Sequence, residues 1–284
     1  MLQPPETRTM LSSELETLTS RSNSIAIVVP YRNREAHLAT FLPYMKQFLN
    51  IDETRMDIVI LIVEQADNLP FNRGWLLNVG SHIVTRKSGL LSSFMSEPAR
   101  TLVLHDVDML PVEKELRSFY ERTPPLGSSF HMLNPFQYEQ FDHMYQIYGG
   151  INVFRSENFL KDLNGYPNNR HGWGLEDCML RQRASLINLK TIRPWKGKYR
   201  NLPHESHRND EILMQQMTLL SHDFMTMREN GISNTKYSIN GDIRSFDDFP
   251  RTYLVKVSRV VDDSYNYHGG GGGHDGSVSG KVEF

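Results

Sequence analysis

Three features of the sequence predict an α/β fold with a mostly parallel central sheet and helices on both faces. Residues 25–29 (IAIVV), 58–63 (IVILIV) and 101–104 (TLVL) are short apolar runs rich in β-branched side chains. The segments between them carry helical periodicity instead. Strands that are apolar throughout are buried on both faces, so helices must cover both sides of their sheet.

The elements follow in order. The first run is ended by Pro30, a buried-strand pattern. Residues 35–49 place Leu38, Phe41, Leu42, Met45, Phe48 and Leu49 on one helical face. After the second strand, 72–87 read as a helix with Trp75, Leu76, Val79 and Ile83 on one side. The third strand runs directly into His105-Asp-Val-Asp108. The second half is less regular. Helices are expected at 157–163, 175–185 and 210–228, and a strand at 253–257. Residues 1–22 are polar and read as a tail or a short capping helix, and the Gly-rich 263–284 as a flexible tail. In sheets of this kind ligands bind beyond the carboxyl ends of the strands, which points to 30–34, 64–73 and 106–108.

The chain has 284 residues and a net charge of −2, which excludes a general nucleic-acid binder. Its single cysteine, Cys178, excludes an internal disulfide and a Cys-rich zinc site. No apolar run approaches the ~20 residues of a membrane-spanning helix. The first twenty residues lack the cationic start and apolar stretch of a secretory signal.

Several groups carry chemistry. Asp106 and Asp108 flank Val107 at a strand end, where two carboxylates can reach one hard cation such as Mn²⁺ and the hydroxyls of a ligand. The same triplet also reads as an acidic turn capping the next helix. His204 and His207 are three apart and could add imidazoles to Asp108, or be solvated loop histidines. In GWGLED (172–177) two glycines free the backbone around Trp173, so the indole can serve as a sugar platform. Glu176 and Asp177 beside it can accept bonds from sugar hydroxyls or take a proton. They equally suit the start of a helix. Tyr31-Arg32-Asn33-Arg34 and Phe71-Asn72-Arg73 each follow a strand and offer aromatic rings and arginines to a base and phosphates. Gly150, in YGG (148–150), lets the backbone approach a ligand.

The ordered motifs VPYRNREAHL, FNRGWLLNVG, HDVDMLP, YGGINVF, NGYPNNRHGWGLED and HRND resemble the β-1,4-galactosyltransferase family over residues 24–260. The resemblance implies a GT-A fold with a Rossmann-like sheet in one domain, 23–262. Its nucleotide-binding half is 23–110 and its acceptor and metal half 111–262. It also implies an inverting, metal-dependent transfer of galactose from UDP-galactose to a 4-hydroxyl of an acceptor sugar or glycan. By motif, Pro30, Tyr31, Arg32, Arg34, Phe71, Arg73, Asp106, Val107, Gly150 and Trp173 would bind the nucleotide sugar. Asp108, His204 and His207 would hold Mn²⁺. Trp173, Glu176 and Asp177 would meet the acceptor, with Asp177 as catalytic base.

Three departures bear on this reading. Cys178 stands where the family usually has Asp, which leaves the acceptor open. Ile147 stands where galactose-specific members often carry Tyr, so UDP-GalNAc is an alternative donor. Members reside in the Golgi lumen as type II membrane proteins, but this chain shows neither their cysteine pairs nor an anchor. A non-catalytic carbohydrate-binding protein and a nucleotide phosphohydrolase are competing classes. The four intact carboxylates speak against the first, and the Trp platform against the second.

Overall fold

A computed structural model describes residues 6–52, 54–86, 95–133, 148–172, 174–195, 197–203, 223 and 225–260. Its centre is a mixed sheet of ten strands in the order β1-β8-β6-β7-β4-β2-β3-β12-β10, with β11 paired to β12. The three predicted runs become β2 (Ile25–Tyr31), β3 (Ile58–Gln65) and β4 (Thr101–His105), all parallel. β12 (Phe249–Arg259) joins β3 in parallel, so the chain's far end completes the sheet begun by its near end.

Alternation within the strands explains the two layers. Ile25, Ile27, Val29 and Val103 point to one face, with α2 (Glu35–Leu49) packed on it through Phe41, Leu42 and Met45. Ala26, Val28, Leu102 and Leu104 point to the other, against α3 (Arg73–Thr85) and residues of the later helix Glu176–Leu186. The α3 contact is close. A Cβ on Gly80 would stand 2.3 Å from Val28 Cγ1 and 2.8 Å from Val63 Cγ2, so only glycine lets the helix lie there.

The structure departs from the predicted pattern in several places. Residues 7–18 are not a tail: β1 (Thr7–Met10) pairs in parallel with β8 (Lys190–Pro194), and α1 (Ser12–Leu18) follows. Beyond the ladder these residues bury only two apolar side chains, Met10 and Leu15, in a polar segment, which is why composition concealed them. Between the parallel groups lies β7 (Ile151–Arg155), antiparallel to β4 and to β6 (Ser128–His131). Between β4 and β6 are the short strand β5 (Met109–Pro111) and the one-turn helix α4 (Arg117–Tyr120). β9 (Tyr199–Asn201) pairs with β5 in a separate ribbon. The expected helix at 157–163 is a single π turn, Asn158–Asp162. The expected 175–185 helix is α5 (Glu176–Leu186). β10 (Tyr237–Ile239) and β11 (Arg244–Phe246) cap the far edge. Most of the 210–228 helix and the tail from 263 lie outside the described residues. Among the described residues no helix is long and apolar enough to cross a membrane.

Candidate functional site

Strand directions decide which loops can meet. β2, β3 and β4 end together at Tyr31, Gln65 and His105. In β12, Val257 lies opposite Gln65, so Arg259 reaches the same edge. In antiparallel β7, Ile151 lies opposite His105, so the preceding Gly150 also arrives there.

Arg73, the first residue of α3, is the hub of this edge. Its Nε donates to Asp106 Oδ1 at 2.6 Å and its Nη1 to Asp177 Oδ1 at 2.8 Å. Nη2 donates to the Gly150 carbonyl at 3.3 Å, and Glu176 Oε1 lies 3.8 Å from Nη1. One guanidinium thus gathers three carboxylates from two distant parts of the chain. The four side chains keep only 10–23% of their exposure. Burial pushes the Asp177 carboxyl well above the usual carboxylate range, and Glu176 and Asp106 add to the rise while Arg73 opposes it. Glu176 is raised for the same reasons. Burial works against the Arg73 charge, but Asp106 and Asp177 outweigh it and keep the group firmly protonated. A carboxyl with its proton affinity raised is what proton abstraction near neutral pH requires.

Local structure positions the two acids of α5. Leu175, immediately before Glu176, has φ +68°, a left-handed conformation that costs a branched residue roughly 1–2 kcal/mol. That strain sits at the turn that aims Glu176 and Asp177 at Arg73. Both acids also occupy the first turn of the helix, where the macrodipole favours negative charge.

An asparagine network supports the loop that passes beneath. Asn72 caps α3 by accepting from the Trp75 amide at 2.9 Å and donates to the Asn168 carbonyl at 2.6 Å. Fully buried Asn78 donates to the Tyr166 carbonyl at 2.7 Å and accepts from its amide at 2.9 Å. Asn168 donates to the Gly231 carbonyl at 2.7 Å. The Tyr166 ring then stacks under Arg73, 5.6 Å from ring centre to guanidinium carbon. Burial strengthens the hold of its hydroxyl on the proton, and the neighbouring Arg73 charge opposes that.

The sequence reading missed two more groups. His105 is fully buried, which lowers its pKa to about 4, and so it stays neutral. Its Nδ1 donates to the Asp106 carbonyl at 2.8 Å, and its Nε2 accepts from the Tyr120 hydroxyl at 2.9 Å. That pair fixes the backbone of the acidic triplet. Arg259 binds both oxygens of Asp67, at 3.0 and 3.2 Å, and His171 Nδ1 at 2.6 Å. Burial and Arg259 push the His171 pKa down to about 4. This cluster ties the end of β12 to the loop before Phe71 and to the residue just ahead of Gly172. The alternating stretch 253–257 just before Arg259 was its trace in the sequence.

The nucleotide-side candidates divide by exposure. Tyr31 and Val107 pack in the core, and Pro30 is buried in its strand, so these three offer main chain to a ligand. Arg32 lies over the Phe71 ring at 5.4 Å and donates to the Leu69 carbonyl at 2.7 Å. Arg34 is half-buried at the N-cap of α2. Arg73, expected to face the nucleotide, is held by carboxylates on the protein side, because the start of α3 points across the ends of β4 and β7.

Asp108 is half-buried just beyond β4, and its carbonyl accepts from the Leu202 amide at 2.7 Å. The Pro203 carbonyl accepts from His37 Nε2 at 3.0 Å. The stretch that leads into His204 therefore starts beside Asp108. A half-buried carboxylate such as Asp108 suits a hard divalent cation. His204, His207 and Trp173 lie outside the described residues, as does Ile147. Among the described residues no group of three His, Cys, Asp or Glu side chains is arranged to hold a metal ion.

Comparison with known proteins agrees with this architecture. Residues 16–123 match the N-terminal region of glycosyl transferase group 7, and residues 130–205 the N-terminal domain of galactosyltransferase. Human β-1,4-galactosyltransferase 4 is 32% identical over 218 residues, 76% of this chain and 58% of that protein. The mouse counterpart is 33% identical over the same length. The chain thus spans under two thirds of the curated relatives it matches. The catalytic domain of Drosophila β-1,4-galactosyltransferase 7, solved with xylobiose, superposes with a TM-score of 0.64 at 24% identity, covering 84% of this chain and 95% of that one. A variant of that enzyme, solved with manganese, UDP-Gal and xylobiose, superposes at 0.63. The sheet is accordingly of the GT-A type. The two family matches cover more than half of the sequence, and the chain belongs to glycosyltransferase group 7, the β-1,4-galactosyltransferase family.

Proposed function

We propose that this chain is an inverting hexosyltransferase that moves galactose from UDP-galactose to the 4-hydroxyl of an acceptor sugar. The observation that carries the reading is the buried trio Asp106, Glu176 and Asp177 around Arg73, at the sheet edge where ligands bind. The Drosophila relative solved with manganese, UDP-Gal and xylobiose supports it by likeness of fold.

In this reading Asp177 takes the proton from the acceptor 4-hydroxyl. The oxygen forms its bond to the anomeric carbon as the bond from that carbon to the β-phosphate oxygen breaks, and UDP leaves with those electrons. A single in-line displacement inverts the anomeric configuration and needs no covalent intermediate. Asp106 and Glu176 hold sugar hydroxyls, and Trp173 stacks on the rings. Arg73 keeps the base aligned and limits the rise of its proton affinity. Arg32, Arg34 and Phe71 bind the nucleotide, with main chain at Pro30, Tyr31, Val107 and Gly150. Asp108, His204 and His207 would hold Mn²⁺. When bound, the cation offsets charge that builds on the departing diphosphate.

The test is incubation with Mn²⁺, UDP-galactose or UDP-GalNAc, and a panel of xylosides, glucosides and N-acetylglucosaminides, with products read by NMR. A β-linked galactose on O4 supports the reading. A β-linked N-acetylgalactosamine moves the donor to the alternative that Ile147 allows. UDP-sugar cleavage to UMP, or no UDP release with any acceptor, contradicts transfer.

A further inference from the structure

The mechanism leaves one ordered face of α2 unused. His37, Phe41 and Tyr44 recur at helical spacing of four and three residues and therefore share a side of the helix. Each contacts the acidic-triplet region or the chain running into the histidine segment. The Phe41 ring packs edge-on against His105 at 5.1 Å. The Tyr44 hydroxyl donates to the carbonyl of Pro111, the last residue of β5, and the Arg200 guanidinium of β9 lies 5.7 Å from the Tyr44 ring. His37 Nε2 reaches the Pro203 carbonyl at 3.0 Å. A carbonyl only accepts, so the ring nitrogen carries the proton. One residue earlier, the Leu202 amide is bound to the Asp108 carbonyl.

The start of the segment bearing His204 and His207 is thus fastened twice. The Leu202 bond fixes it to the triplet, and the Pro203 bond fixes it to the first turns of α2, whose N-cap is Arg34. The donor of the second attachment is a side chain, His37.

We propose that His37 is a positioning residue for divalent-cation binding: by holding the Pro203 carbonyl it orders the entry to the histidine segment against Asp108 and the phosphate end of α2. This rests on the reading of Asp108, His204 and His207 as the cation ligands. It does not make His37 a ligand.

The test is binding of Mn²⁺ in the presence of UDP, followed by the electron paramagnetic resonance of free Mn²⁺, alongside thermal unfolding without metal. One partly exposed hydrogen bond predicts Mn²⁺ binding weakened roughly three- to tenfold in His37→Ala. The melting temperature without metal should stay unchanged. His37→Gln, whose amide can still donate to the carbonyl, should recover most of the affinity. Three results would overturn the proposal. Mn²⁺ binding by His37→Ala could equal that of the wild type. Gln could fail to rescue. The loss could track a general fall in melting temperature. His207→Ala separates the two layers. If it weakens Mn²⁺ binding while His37→Ala does not, only the positioning role fails. If neither variant differs from wild type, the ligand assignment fails, and this inference with it.

Discussion

Replacing Arg73 with leucine removes the one cation shared by three carboxylates, and the structure sets the size and pH dependence of the effect. Breaking a fully buried ion pair costs about 3–5 kcal/mol because a charge is left uncompensated. Here the side chains retain 10–23% exposure, and the acids can escape by taking up protons. A net loss of roughly 2–3 kcal/mol near pH 7.5 is therefore expected, a drop in Tm of about 4–12 °C for a domain of this size. The sign with pH follows from linkage. An acid whose pKa is raised in the folded state binds its proton more tightly there than in the unfolded chain. Its ionisation removes stability as pH rises from the unfolded value, near ~4, through the folded one. Arg73 holds the Asp177 and Glu176 values down, so its loss raises them further. The deficit of Arg73→Leu relative to wild type should be largest at pH 7–8 and shrink towards pH 5. Arg73→Lys, which keeps the charge but not the two-pronged geometry, should lie between. Differential scanning calorimetry of the three proteins across that range is the assay. A deficit equal at pH 5 and pH 8, or no deficit, would refute the electrostatic account of the cluster.

Other expectations follow from the same contacts. Because Asp177 must be ionised to accept a proton, the acid limb of the pH profile of kcat/KM should lie above the ordinary carboxylate value of ~4. A limb at or below that value removes Asp177 as base in this environment. Asn78→Ala leaves the Tyr166 amide and carbonyl unpaired in the interior and should cost about 2–4 kcal/mol by denaturant unfolding, with an effect below 1 kcal/mol counting against the network. Gly165 has φ +63°, and a Cβ there would stand 2.2 Å from Asn78 Oδ1. Gly165→Ala should therefore be severe alone, yet milder than additive when combined with Asn78→Ala; strict additivity in that double-mutant cycle would show the contact to be unimportant.

The strands β2, β3 and β4 and the helices α2 and α3 were legible because continuous apolar runs and 3.6-residue spacing are local signals. β1, β6 and β8 were not, since each is only four or five residues long; in β6 and β8 polar side chains such as Ser129, Thr191 and Arg193 are buried only by tertiary pairing, and β1 buries only Met10. Nothing local marks β7 as antiparallel either. Within the site, the residue types were readable but not their partners. Arg73 meets Asp106 33 positions away and Asp177 104 positions away, and those separations close only through strand direction. The residue types suggested an arginine for phosphate, and the fold adds the carboxylates that hold it. The asparagines at 72, 78, 164, 168, 230 and 234 left a compositional trace whose structural meaning depended on contacts between distant loops. Nothing local showed that His105, next to the acidic triplet, is buried and fixes the Asp106 backbone.

Asp177→Asn addresses the central assignment most directly, because it keeps shape and one hydrogen-bond acceptor for Arg73 while abolishing basicity. With Mn²⁺, UDP-galactose and the best acceptor from the panel, transfer by this variant should fall about 10²- to 10⁴-fold while calorimetric binding of UDP stays as in the wild type. Transfer within a few-fold of wild type would place the base elsewhere and contradict the account.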